Sequence, residues 1–209
     1  MKNLLGLAVI SGVLLSGCGD VQISINKDDG SDKVEDTDKK KDSDKVELVS
    51  DEMDNEKMSD TEKQEAILQF INEDIKKVAE YEVAAIQSLA TVSGVNYIDD
   101  PTLYKELTTT TIPAYEKALE EAKGIEAGTP ELEEMKNRIV TATQTFYDAL
   151  ILEKKAIKDQ DEGLIEESNA KVDEYYRLVE AYHADMKLLA EEYDVTYEVD
   201  EQNVETDSL

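Results

Sequence analysis

Apolar residues recur at helical spacing in four stretches of the chain, and each stretch is bounded by residues that start or stop helices. The first runs from about Thr61 to Ser93 and carries Ile67, Ile71, Ile75, Val78, Ala85, Leu89 and Val92 on one stripe. Ser59 and Glu62 have capping-box spacing ahead of it, and Gly94 follows as a stop. The second opens at Asp100-Pro101, a pairing suited to an N-cap and a first helical residue. It carries Leu103, Leu107, Ile112, Tyr115, Leu119 and Ala122 toward Gly124. The third opens in the same way at Thr129-Pro130-Glu131, and its stripe of Leu132, Met135, Ile139, Ala142, Phe146, Ala149, Ala156 and Ile157 has the cleanest period. The fourth begins near Asp161 to Gly163 and shows Ile165, Val172, Tyr175, Tyr176, Val179, Tyr182, Met186, Leu189 and Tyr193.

Four amphipathic stretches joined by short connections bury their stripes most simply as an all-α, elongated, antiparallel up-down four-helix bundle, here assigned to residues 61–197. A three-helix bundle and a coiled-coil-like assembly are the alternatives that give similar stripes. Composition agrees with helices around a thin core: the chain has only 3 Pro, 9 Gly and no Trp. One interruption is written into the second helix, where Thr108-Thr109-Thr110-Thr111-Ile112-Pro113 places a proline in its interior. Pro113 removes an amide donor and crowds the carbonyl of Thr109, so a kink or break is expected, with threonine hydroxyls satisfying the freed carbonyls.

The flanks follow a different pattern. Residues 1–17 consist of a short basic start, the apolar run Leu4 to Leu15, and small residues, which are the parts of an export signal and too short to span a bilayer stably. Leu15-Ser16-Gly17-Cys18 resembles the lipobox of bacterial lipoproteins. The resemblance implies that the Cys18 thiol receives a diacylglycerol and becomes the mature first residue. It further implies a palmitate-type membrane anchor and a place in the cell envelope on the extracytoplasmic side. Residues 18–60 alternate Asp, Glu and Lys with small residues and hold no aromatic, the composition of a disordered tether. About 40 such residues span roughly 35 Å as a coil and about 140 Å fully extended. From Asp194 onward the chain is acidic and without a basic residue, with 198–209 assigned as the tail proper.

Charge narrows the company this protein keeps. Against 50 acidic residues stand 22 Lys and Arg, a net charge of -28, so the basic footprint of a nucleic-acid binder is missing. Cationic ligands, basic peptides and divalent ions are electrostatically permitted.

Candidate chemistry is sparse. His183 is the one histidine, and Glu180-Ala181-Tyr182-His183 has the Glu-x-x-His spacing that a metal-binding bundle uses on two of its helices. Here it occurs once, and Glu82 and Glu153, which interrupt apolar stripes, are the carboxylates that could complete a site with it. Asp159-Gln160-Asp161-Glu162-Gly163 resembles the start of a calcium loop. Counting from Asp159, however, the positions that need Gly and Glu hold Leu164 and Ala170, and a capping role for Asp161 accounts for the cluster more simply. Tyr175, Tyr176 and Tyr182 crowd the last helix, where tyrosines suit the rim of a thin core or a surface for cationic partners. With the only cysteine at the lipidation position, one histidine, no Gly-x-Ser-x-Gly elbow and no phosphate loop, the expectation is a non-enzymatic protein without cofactor. It is expected to bind a protein, peptide or cell-wall component from its membrane anchor; a divalent-ion or small-ligand binder is the alternative.

Overall fold

The computed structural model describes residues 58–199. The lipobox with Cys18, nearly all of the 18–60 tether and most of the 198–209 tail lie outside them. Among the described residues all regular structure is helical and there is no strand. Helix α1 comprises Asp60–Gln69, a π-helical turn Phe70–Ile75 and Lys76–Ala90; α2 comprises Asp100–Glu106, a π-helical turn Leu107–Thr111 and Ile112–Gly124. Helix α3 is Pro130–Asp159 and α4 is Glu162–Glu192.

Caps place the helix starts. Ser59 and Glu62 form the full capping box, with the Ser59 amide donating to Glu62 at 2.8 Å and the Glu62 amide to the Ser59 hydroxyl at 3.3 Å. Thr129 caps α3 through the Leu132 amide, and Asp161 caps α4 through the Gly163 amide. At α2 the cap is Asp99 rather than the expected Asp100. Its extended backbone lets its carboxylate reach the Thr102 amide at 2.8 Å, while Asp100 is already the first helical residue.

The ends and the interruptions differ from the periodic reading. α1 stops at Ala90, three residues short of Ser93, where the Thr91 hydroxyl and the Asn96 amide occupy the carbonyls of Ser88 and Ala90. Gly94 takes a φ of +55° in the turn that follows, a conformation that carries no steric cost without a Cβ. The π turn in α1 was not expected. Apolar residues spaced strictly by four, as Ile67, Ile71 and Ile75 are, drift around a helix of 3.6 residues per turn, and a widened turn keeps Phe70, Ile71 and Ile75 all buried. In α2 the proline produces a second π turn, with the Ile112 amide reaching back to the Leu107 carbonyl. The Thr108 and Thr109 hydroxyls bond the carbonyls of Tyr104 and Lys105 at 2.7 and 2.9 Å, and α-helix resumes at Ile112 with Pro113 in its first turn.

The stripes converge on one core. Every named stripe residue of α2 and α3 is buried, as are all those of α1 except the half-buried Val92. Helix α3 packs along α4, α2 packs on α1 and on α3, and the two-residue turn between α3 and α4 uses Gln160 at φ 55°. Beyond α4 the chain does not leave the bundle at once. The Asp194 amide bonds the Glu191 carbonyl and the Val195 amide bonds the Ala190 carbonyl, a Schellman closure with Asp194 at φ 54° in the position that favours glycine. Val195 and Tyr197 are buried, within the span 61–197 assigned to the bundle.

Gln160 donates to Asp100 at 3.0 Å, which brings the α3–α4 turn against the start of α2. Lys63 and Gln64 donate to the hydroxyl and carbonyl of Tyr193 at 2.9 and 2.7 Å, and Ala66 lies beside Gly128. The 30-residue α3 is ~45 Å long.

Candidate functional site

Glu82 lies in the C-terminal third of α1, fully buried, where the stripe calls for an apolar residue. Tyr115 of α2 donates to its Oε1 at 2.6 Å, Thr143 of α3 donates to the same oxygen at 3.2 Å, and Tyr175 of α4 donates to Oε2 at 3.4 Å. Each of the other three helices thus contributes a hydroxyl to one carboxyl group. Phe146 packs between the two tyrosines, stacked on Tyr115 and edge-on to Tyr175, with ring centroids 4.9 Å apart in each case. Burial first, and then the charge of Glu82, hold the Tyr115 and Tyr175 hydroxyls well above the ordinary tyrosine range. Glu82, Tyr115, Thr143 and Tyr175 are all fully buried. What the cluster does chemically is satisfy buried polar groups, and it fixes which residues of the four helices stand level with one another.

His183 makes a different set of contacts. Its Nδ1 lies 2.7 Å from the Tyr197 hydroxyl, and its ring sits beside those of Tyr182 and Tyr197 at 5.3 and 6.0 Å. His183 is buried but Glu180 is exposed, so the Glu-x-x-His spacing does not set both on one environment. Three residues leave two side chains about 60° apart around the helix, and the edge of the buried stripe falls between them. Glu82 is engaged by hydroxyls, and Glu153 is fully buried on α3. Among the described residues no group of three or more His, Cys, Asp or Glu side chains is placed to hold a metal ion. Asp159 is exposed, and Asp161 serves as the α4 cap.

The tyrosines of α4 lie deeper than a rim. Tyr175 and Tyr182 are fully buried, and only Tyr176, whose hydroxyl is pushed upward by burial and then by Asp173, reaches partway to solvent. The surface instead exposes residues that no stripe singles out. In the loop between α1 and α2, Val95 is 102% exposed and Ile98 74%. The available signal was the run Val95-Asn96-Tyr97-Ile98, which is largely apolar yet lies outside any helical period.

No family model, no curated protein and no solved structure matches this chain. Among the described residues no helix is long and apolar enough to cross a membrane.

Proposed function

We propose that the protein is a lipid-anchored, non-enzymatic module of the bacterial cell surface, held on the extracytoplasmic face through Cys18. Its helical domain engages a protein, peptide or cell-wall component at the end of the charged tether. The observation that carries this reading is Leu15-Ser16-Gly17-Cys18 placed directly after the apolar run of an export signal. Two or more acyl chains anchor a protein firmly where one does so only marginally, so lipidation makes the attachment stable. Replacing Cys18 with Ala should move the protein from the detergent phase of an extracted cell to the medium. Retention of the Cys18→Ala protein in the membrane would sink the anchor.

Within the same reading the helices form an antiparallel up-down four-helix bundle. Its support is the order of the cross-helix bonds: Ser168 reaches back to Ala149, while the later Asp185 meets the earlier Arg138. Helices α1 and α2 repeat the order, with Ser88 bonded to Glu106 and Glu82 to Tyr115. Spin labels at positions 63 and 193 should report a short distance, and labels at 63 and 98 one near the ~45 Å helix length.

A further inference from the structure

The loop 91–99 is the most exposed apolar feature among the described residues, and it is built rather than loose. The Asn96 amide bonds the Ser93 carbonyl at 3.0 Å and the Tyr97 amide bonds the Gly94 carbonyl at 3.2 Å, closing a short 3-10 turn. The Asn96 side chain ties that turn to the last carbonyl of α1 at 2.9 Å, and the Tyr97 hydroxyl donates to Asp100. Half-buried Tyr97 is the foot of the loop, and Val95 and Ile98 are held outward on either side of it. Presenting two branched apolar side chains to water offers no stability to the bundle, and a braced loop has little ordering entropy left to lose on binding.

We infer that this tip is a docking surface for a basic amphipathic segment of a partner protein or peptide, with Val95 and Ile98 as its apolar contacts. The inference rests on the proposed anchoring for which way the tip faces. The tether joins at Ser59, at the end occupied by Lys63 and Tyr193, so the tip stands at the far end of the helices, away from the membrane. Charge selects the occupant. Residues 91–104 and 159–170 contain no Lys or Arg; Asp99 and Asp100 follow Ile98 directly, and the Gln160–Asp100 bond brings the acidic turn of Asp159, Asp161 and Glu162 to this border. A second copy of this chain, with the same acids, and an anionic lipid surface both bring like charge to that border. A helix with Leu or Ile on one face and Lys or Arg on the other brings the complement to both features.

The test is titration of a synthetic Lys–Leu amphipathic helical peptide against the full mature chain carrying Cys18→Ala, which is soluble whatever the fate of the lipid. Saturable binding is expected, weakened by rising salt. Val95→Ser with Ile98→Ser should lower affinity by about tenfold or more, whereas Leu188→Ser, at an exposed apolar residue remote from the tip, should leave it unchanged. Binding that is absent in the parent chain, equal in the Val95/Ile98 variant, or shared by a Glu–Leu peptide of the same pattern overturns the inference. So does a tip that binds soluble wall fragments or self-associates in place of the peptide. Failure at this step leaves the Cys18 anchor standing, because fractionation of the Cys18→Ala protein reads the anchor separately.

Discussion

The Tyr115 hydroxyl donates to Glu82 Oε1 at 2.6 Å with neither side chain exposed to solvent. The pair spans α1 and α2, and Thr143 and Tyr175 extend it to α3 and α4. A carboxyl group in this setting stabilises the fold only while its hydroxyl partners are in place, since removing one side leaves the other desolvated and unmatched.

Glu82→Ala should therefore destabilise the domain by about 3 kcal/mol, combining a cavity with three stranded hydroxyls. Glu82→Gln keeps shape and acceptor and should cost less than half as much, and Tyr115→Phe about 1–2 kcal/mol. Urea denaturation of the three variants orders them; equal stability of Glu82→Ala and the parent would remove the cluster's structural role.

Alkaline pH provides a second readout. The folded state raises the pKa of Tyr115 and Tyr175 from the ordinary 10.0, and pushes Tyr97 up to about 12 through desolvation and then its bond to Asp100. A group whose folded pKa is raised contributes its stability fully below the unfolded pKa and loses it as pH rises through the folded value, because the unfolded chain releases the proton first. Unfolding free energy should thus be insensitive to these tyrosines up to about pH 9 and fall steeply above about pH 10. Tyr115→Phe and Tyr175→Phe should each make that fall shallower, as read by denaturant melts across the alkaline range with tyrosinate absorbance as probe.

Two helix termini should respond with opposite signs. Thr129→Ala removes the hydroxyl that accepts from the Leu132 amide and should cost about 1 kcal/mol. Asp194→Gly relieves a non-glycine residue at φ 54° in a Schellman closure and should stabilise by about 0.5–1 kcal/mol. Thermal melts of the two variants should move in opposite directions around the parent.

The tip variants should be silent in the same assay. Val95 and Ile98 contact water rather than core, so Val95→Ser and Ile98→Ser should each change stability by less than about 0.5 kcal/mol. A marked loss of stability in either would mean that the loop packs in solution, and the docking surface would lose its basis.

The helices themselves were legible because their information is local. Each of Leu132, Met135, Ile139, Ala142, Phe146, Ala149, Ala156 and Ile157 is buried in α3, as the period of that stretch requires, and Thr129-Pro130 starts the helix where cap chemistry places it. Asp161 capped α4 as its position before Gly163 suggested. At α2 the expected cap, Asp100, gave way to its neighbour: Asp99 accepts from the Thr102 amide, while the Asp100 carboxylate is bonded by Tyr97 and Gln160, the latter from 60 residues away.

Glu82 was visible only as a polar residue inside an apolar stripe, and its three hydroxyl partners come from residues 33, 61 and 93 positions away. His183 and Glu180 share a motif spacing yet fall on opposite sides of the buried boundary, whose position depends on how α4 is rotated against α3 and on where Tyr197 docks. The sequence by itself determined the helical class, the four stripes, most of the caps and the charge of the surface, because all of these depend on composition or on neighbours within a few residues along the chain. Tertiary structure alone decided the two π turns, the hydroxyl cage around Glu82, the burial of Val195 and Tyr197, and the exposure of Val95 and Ile98. Those features follow from the rotation and axial register of packed helices, which are set by filling one shared core without voids and by satisfying every buried polar group at once.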